Sequence, residues 1–583
     1  MLACFYLYRF VGYKDMQKKW AIAPDHDQAA VQRLKESLGI HGVLAELLVS
    51  RGVTTFDDAR LFFNPDLSTL HDPFLMKDMD SAIARIETAI GNKEKVLIYG
   101  DYDVDGTTAV AVVYSFFRQF HSGLAFYLPD RYAEGYGISK QGVDYAAENG
   151  FTLIIALDCG IKALDKVDYA RERGIDFIIG DHHLPGDTLP RAVAVLDPKR
   201  RDCPYPYKEL PGCGIGFKLV QAFIQKNDMD INRCYQYLDL VAVGIASDIV
   251  PITGENRILA HYGLIKLNSN PCVGLQSLID LSTHRGGHFT VNDVVFQIGP
   301  RINAAGRINH AKNAVELLVS KSLQEARRYS KRIDLQNSQR KDFDLRTTEE
   351  ALAIIDGDEA LKRRKTTVVF QRDWHKGVIG IVATRLTEKY YRPTVVLTQT
   401  NGHVSGSARS VLGFDLYEAL SACSDLLDQF GGHKYAAGLT MKPENVELFR
   451  DRFEQVVEAS ILPDMLRRQI AIDAELDFAD IDAKFFRILR RFEPFGPQNG
   501  APVFMTKRVT VWGTAVVVGG SHLKMTVAQP GSPGFDCIGF GLADYADAVN
   551  KQRPFDLCYT VEENVWRDKR SLQLNVKDIR ILE

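Results

Sequence analysis

The sequence predicts an α/β protein: a parallel-sheet domain joined by a long helix to a second α/β domain, with a small OB-fold-like β-barrel at the C-terminus. Three observations carry that expectation. Between Lys93 and Pro251, short apolar runs ending in acidic or imidazole groups alternate with helical stretches, which implies a parallel sheet. From Ser322 to about Ile355 the chain has neither Gly nor Pro and is dense in charge, as a solvated helix between two domains would be. From about Ile470, strand-like segments broken by Gly and Pro (Val509–Val518, His522–Val527, Phe535–Gly541, Phe555–Glu562 and Leu572–Leu582) suggest a five-stranded barrel.

The 583 residues, 46% hydrophobic and 25% charged, suffice for roughly three or four domains. With a net charge of −3, nucleic-acid binding would rest on local basic patches. Nine cysteines without a C-x-x-C pair argue for a reducing, cytoplasmic setting and against a disulfide framework or structural zinc. No run of 18 apolar residues exists, so no membrane contact is expected. Met1 to Lys14 is rich in aromatics and lacks the basic n-region and cleavage site of a signal peptide, so Met16 is the expected translation start. Residues 16 to about 90 read as a helical packing cap, with apolar positions at helical spacing in Gln28–Leu48 and Asp78–Ile90.

The apolar run Val96–Tyr99 discharges into Asp101, Asp103 and Asp105. In extended backbone these three share a face and repel, so a divalent cation is the simplest partner. Gly106 then permits a sharp turn into the buried helix that begins near Thr107. A calcium loop of the EF-hand type fails, since the twelfth position is Val112. Leu153–Leu157 ends in Asp158, Phe177–Ile179 in Asp181-His182-His183, and the apolar stretch Leu240–Ala246 in Ser247-Asp248. One such acidic end is ordinarily a helix cap; four converging on one sheet edge point to a shared site. Carboxylates with an imidazole favour Mg²⁺ or Mn²⁺ over Zn²⁺, and so many suggest two ions activating water for phosphoryl chemistry. The glycine-rich Leu210–Lys218 turn resembles a phosphate cradle without completing a Walker A or Rossmann pattern, and reads as mostly structural.

Asp101-Tyr-Asp-Val-Asp-Gly106, Asp158-Cys-Gly160, Asp181-His-His183 and Ser247-Asp248 resemble the four motifs of the DHH phosphoesterase superfamily. From about residue 40 onward the chain is similar to its RecJ family, bacterial 5′→3′ exonucleases of single-stranded DNA. The resemblance implies two divalent cations, Mn²⁺ or Mg²⁺, held by Asp103, Asp105, Asp158, His182 and Asp248. It makes Asp158 the bridge between them, Asp101 a supporting carboxylate, and His183 a contact to the scissile phosphate. Further segments match the family: the Pro129–Gly137 loop with Arg131, Ile298–Arg307 with Arg301 and Asn303, Ser405–Ser410, Phe430–Gly438 and Phe492–Gly500. These imply a DHHA1 domain in which Ser407 and Arg409 hold the 5′ phosphate and His433 a phosphate near the scissile bond, with Arg131, Arg301 and Asn303 also on the substrate. Ala408 stands where the family usually has Gly, which would strain the backbone if that position needs a positive φ.

The expected divisions are 1–90 (helical cap), 91–275 (DHH metal-binding domain), 276–355 (connecting helical region), 356–460 (DHHA1 domain) and 461–583 (OB-fold-like, single-strand-binding domain). Trp512, Phe540, Tyr559 and Trp566 are stacking candidates on the barrel; a basic face of the long helix (Arg327, Arg328, Lys331, Arg332) is a DNA contact or simply solvated. The family implies a monomer acting in recombination and repair beside a RecQ-type helicase and a single-strand-binding protein. Two other readings stand at this stage. A small-substrate DHH phosphodiesterase is usually shorter and lacks the barrel. A non-enzymatic replication factor on the same scaffold would have lost metal ligands, and here every ligand position is occupied.

Overall fold

The structure, a computed structural model, describes residues 18–24, 26–282, 288–308, 311–566 and 569–582. The aromatic N-terminal stretch and Met16 lie outside the described residues, as does the side chain of Trp566. The first strand, β1 (Lys19–Ile22), pairs with the far end of the chain. The first domain is a five-stranded parallel sheet, β2 (Lys95–Gly100), β3 (Leu124–Tyr127), β4 (Phe151–Leu157), β5 (Asp176–Gly180) and β6 (Ala194–Leu196), in the order β3-β2-β4-β5-β6. β2 and β4 are nearly all buried, which is why they read as continuous apolar runs. The chain leaves β2 for β3 on one side and returns to β4 on the other, so the switch point lies between β2 and β4. Their carboxyl ends carry the acidic motifs.

Two expectations are corrected here. Leu240–Ala246 is not a strand but lies in a buried helix, Leu238–Ser247, so Asp248 arrives from a helix C-cap. A seven-residue apolar run is ambiguous between the two until its neighbours are known. Asp105 likewise sits in the first turn of the helix Val104–Phe117, N-capped by Asp103, so the three aspartates do not share one extended face.

The 34-residue helix Leu323–Asp356, about 50 Å long at 1.5 Å per residue, leads to the second domain. There β7 (Thr367–Phe370), β8 (Thr394–Thr400), β9 (His403–Arg409), β10 (Gln429–His433) and β11 (Ala436–Met441) form a sheet ordered β10-β11-β9-β8-β7. Ala408 lies in regular strand register between Val395 and Ala437, fully buried, and no positive φ is required there.

The third sheet contains β13 (Ala474–Glu475), β14 (Phe504–Val511), β15 (Val516–Val518), β16 (His522–Ala528), β17 (Phe535–Gly539), β18 (Phe555–Trp566) and β19 (Lys569–Ile581); pairing of β14 with β16 partly closes it. The expected single strand Val509–Val518 is broken at Gly513, which has a positive φ. The preceding β12 (Gln469–Ile472) pairs in parallel with β1, and Trp20 Nε1 donates to Asp578 (2.8 Å). The cap is divided between cores. Leu34, Leu44 and Leu47 pack with Phe478, Phe485 and Phe504 of the barrel, whereas Met79, Ile83 and Ile86 pack under the first sheet. Phe492–Gly500 joins all these parts: Arg257 donates to the Phe492 carbonyl (2.8 Å), Ile252 N to that of Pro497 (2.8 Å), and Arg51 to Asn499 Oδ1 (2.9 Å). Among the described residues, no helix is long and apolar enough to cross a membrane.

Candidate metal centre and phosphate pocket

The residues after β2, β4 and β5, with the C-cap of Leu238–Ser247, meet around His182. Its Nε2 lies 3.1 Å from Asp158 Oδ1, 3.6 Å from Asp248 Oδ2 and 3.9 Å from Asp105 Oδ2. Asp101, Asp103 and Asp158 form an adjoining group, and Asp158, His182 and His183 a third; within each, ligand atoms lie within 4.8 Å of one another. Asp158 is common to two groups, the relation a bridging carboxylate requires. It is held at φ +60°, a left-handed conformation that costs a non-glycine residue energy and is characteristic of functional sites. Asp101 stands in direct reach of this cluster instead of behind it.

Glycines make the crowding possible. A Cβ on Gly212 would lie 2.5 Å from Asp158 Cβ, and one on Gly106 within 2.5–2.9 Å of the Asp101 backbone. Gly212 N (2.6 Å) and Cys213 N (2.9 Å) donate to the two oxygens of Asp105. The glycine-rich turn thus uses its helix N-terminus on a carboxylate of the chain, not on a substrate phosphate.

Burial, reinforced by Asp105, Asp103 and Asp248, pushes the Asp158 carboxyl well above the usual range; burial and Asp105 push Asp248 up to about 9. Burial likewise raises Asp101 and Asp105, and lowers His182 to about 4, leaving a neutral imidazole. Both ring nitrogens of His182 and both carboxylate oxygens of Asp101 are buried without a hydrogen-bond partner, although the Tyr102 and Gly137 amides face Asp101. Such orphaned donors and like charges fit cations with oxygen-rich coordination, of the Mg²⁺ or Mn²⁺ type.

His183 is oriented from two sides. Asp181 Oδ1 accepts from its Nδ1 (2.8 Å), while Tyr136 Oη is 3.1 Å from its Nε2. Burial opposes both shifts, yet this pairing holds Asp181 below the usual carboxylate range and raises His183. Sequence reasoning quoted Asp181 and Tyr136 but gave them no role; their signal is contact with His183, which spacing does not reveal.

Cations gather beside the carboxylate cluster. The Arg131 guanidinium is 5.0 Å from the Tyr102 ring centre. Arg307 is lowered to about 10 by burial and by the charges of Arg131, Arg340 and Arg409. Arg340 and Arg385 share Asp344 at 3.9 and 2.6 Å. Arg301 is a correction. Its guanidinium is buried and committed to Asp334 (2.9 Å) and to the carbonyls of Gln297 and Leu281, so it ties the Gly299–Ile308 helix to the long helix. Asn303 is half-buried in that helix, which packs by Gly306 against the Tyr102 carbonyl and by Gly299 against Ser247.

In the second domain Arg409 Nη1 donates to Ser407 Oγ (3.2 Å). A Cβ on Gly380, in the first turn of the helix Ile379–Tyr390, would lie 3.0 Å from Ser407 Oγ and 3.2 Å from Arg409 Nη2, so glycine keeps this helix start open to both. Burial lowers the Arg409 guanidinium, which suits it to an anionic partner. His433 is exposed at the end of β10, paired with Ala436, which in turn pairs with Arg409; two strand spacings of about 4.8 Å separate them. Its contact is the Tyr435 amide, not the carboxylate cluster. On the barrel, Tyr559 is core, its hydroxyl bonded to Thr506, and is no stacking platform; Phe540 is half-buried beside His522, and Trp512 is 69% exposed.

The family description "DHH family, N-terminal domain" matches residues 95–245, "DHHA1 domain" residues 364–459 and "RecJ OB domain" residues 472–578. The single-stranded-DNA-specific exonuclease RecJ of Bacillus subtilis is 36% identical over 569 residues, covering 97% of this chain and 71% of the relative. That of Escherichia coli is 32% identical over 532 residues, covering 86% and 90%. Among solved structures, RecJ of Thermus thermophilus in complex with Mn²⁺ superposes with a TM-score of 0.83 at 26% identity, covering 97% of this chain and 80% of that one. The Mg²⁺ complex of the same protein gives 0.76 at 25% identity.

Proposed function

The chain belongs to the RecJ family of single-stranded-DNA-specific exonucleases, and on that premise we propose that it shortens single strands from the 5′ end, the second domain holding the 5′ phosphate and the first the scissile bond. It is a metal-dependent phosphodiester hydrolase of DNA recombination and repair, working with Mn²⁺ or Mg²⁺. The observation that carries the reading is His182 flanked by Asp105, Asp158 and Asp248 within 3.9 Å, from four separate chain segments.

Asp103, Asp105, Asp158, His182 and Asp248 would hold two cations, with Asp101 completing the group around Asp103 and Asp158. When bound, the ions supply water activation and neutralise charge developing on the phosphoryl oxygens. The chain's own groups do the rest. His183, fixed by Asp181, donates a hydrogen bond from Nε2–H to a non-bridging oxygen of the scissile phosphate, in place of its contact with the Tyr136 hydroxyl. Arg131 and Arg307 neutralise the phosphates that follow, with Asn303 beside them, and Ser407 and Arg409 grip the 5′ phosphate. His433, on the hairpin beside Arg409, steadies the strand between the two. Trp512 offers an exposed ring to a base farther along. A monomer in the cytoplasm, served by a helicase and a single-strand-binding protein, completes the proposal.

Digestion of 5′-labelled and 3′-labelled single strands with Mn²⁺, beside a hairpin, tests it. Early release of short label from the 5′-labelled strand, gradual shortening of the 3′-labelled one and a spared stem are expected. Early loss of the 3′ label, or a digested stem, would contradict it.

A further inference from the structure

The two domains touch at a compact junction in which Arg307, already assigned to the substrate phosphates, also makes structural contacts through its carbonyl and Nη1. Tyr132, on the loop between β3 and the next helix, donates its hydroxyl to the Arg307 carbonyl. Arg307 Nη1 donates to the Gly377 carbonyl (3.2 Å), and Gly377 N to His375 Nδ1 (3.0 Å). The His375 ring stacks on Phe343 of the long helix (5.0 Å, 17°) and meets the edge of Tyr132 (6.2 Å, 85°). A Cβ on Gly377 would lie 2.6 Å from the Tyr132 hydroxyl, 2.9 Å from the Arg307 carbonyl and 2.9 Å from His375 Cε1. The Tyr132 loop, the Arg307 helix and the glycine's own turn therefore close on Gly377 with no room for a methyl group.

Each side of this junction continues directly into a working group. Gly377 is three residues from Gly380, which faces Ser407 and Arg409, a reach of at most about 10 Å. Tyr132 is four residues from Tyr136, which holds His183, and adjoins Arg131. Arg307 rides on the helix whose Gly306 packs against the metal loop at Tyr102.

We propose that Tyr132, Arg307 and Gly377 form a latch that sets the separation between the 5′-phosphate pocket and the carboxylate cluster, and so fixes the length of the fragment released at each cut. The inference rests on the reading of Ser407 and Arg409 as the 5′-phosphate pocket. With the 5′ end seated, the phosphodiester bond presented to the cluster is decided by this distance alone. Consecutive phosphates are several ångströms apart, so a shift of an ångström or two blurs the choice between neighbouring bonds. These are positioning residues; none need touch the reacting atoms.

The test is the product length from 5′-phosphorylated, 5′-labelled single strands with Mn²⁺, for the native chain, Gly377→Ala and Tyr132→Phe. The native chain should release one dominant length. Gly377→Ala should raise the share of neighbouring lengths roughly tenfold, less than the about 10²-fold that a full misplacement of about 1 Å can cost in rate; Tyr132→Phe, which keeps the ring and loses only the hydroxyl, should do so to a smaller degree. Loss of stability alone slows cutting without changing product length. If both folded variants still release the native length, the latch is wrong; should Gly377→Ala fail to fold, Tyr132→Phe decides. Strands with a 5′ hydroxyl separate the underlying reading: if the native chain cuts them at the same rate and to the same product, the pocket assignment falls and the latch with it. If they differ while the variants keep the native length, only the latch falls.

Discussion

Around His182, the carboxylates of Asp105, Asp158 and Asp248 crowd together and leave their charge to an external cation; around Arg307, the guanidiniums of Arg131, Arg340 and Arg409 crowd together, Asp344 pairs with Arg340, and the proposed partner of the remaining positive charge is an external anion. The first region is rigid in a specific way. Its side chains are locked by backbone amides, by glycines that allow no added atom and by a strained Asp158. The second is assembled from the loop after β3, the Gly299–Ile308 helix, the long helix and β9, and so bridges the two domains. The carboxylate end is built to hold ions, the cationic end to hold a strand, and the difference predicts separable failures.

The largest effect belongs to Asp158. Asp158→Ala should abolish turnover, beyond the roughly 10²–10³-fold that loss of a single electrostatic donor costs, while affinity for single-stranded DNA, measured by fluorescence anisotropy, survives. Loss of binding together with turnover would merge the two regions. Next is Gly212→Ala, whose methyl group would press on Asp158; calorimetric Mn²⁺ titration should show affinity reduced about 10–100-fold, the scale of groups that orient ligands. On the barrel, Trp512→Ala should weaken binding of long strands by about 1–3 kcal/mol while sparing short ones. Arg301→Gln should be smallest in function. It removes about 1–3 kcal/mol of stability by leaving the Gln297 and Leu281 carbonyls unpaired, read as a lower thermal midpoint with unchanged Mn²⁺ and DNA affinity. A selective loss of DNA affinity would return Arg301 to the substrate.

The same contrast governs what was legible in the sequence. Asp103, Asp105, Asp158 and His182 were readable because each follows or caps an apolar run, and strand ends in a parallel sheet converge by topology. Asp248 was readable as a residue but not as a helix cap, since Leu240–Ala246 has no periodicity that separates helix from strand. The cationic side offered less. Arg301 and Arg307 stand in one motif, and only packing decides that Asp334 of the long helix takes the first while the second reaches across to the Gly377 carbonyl. The cap's attachment to a barrel more than 400 residues away, through β1 on β12 and Trp20 on Asp578, has no local signature at all. Tyr559 misleads because an aromatic in a strand looks the same whether it faces the core or the solvent.

The most direct test of the two-ended account is the rate of cutting of 5′-phosphorylated against 5′-hydroxyl single strands, with Mn²⁺, by the native chain and by Arg409→Ala. The account predicts that the native chain prefers the phosphorylated strand by about tenfold or more, the worth of one charge-assisted pair, and that Arg409→Ala erases the preference while Mn²⁺ affinity is unchanged. Equal rates on both strands by the native chain, or a preference that survives Arg409→Ala, would contradict it.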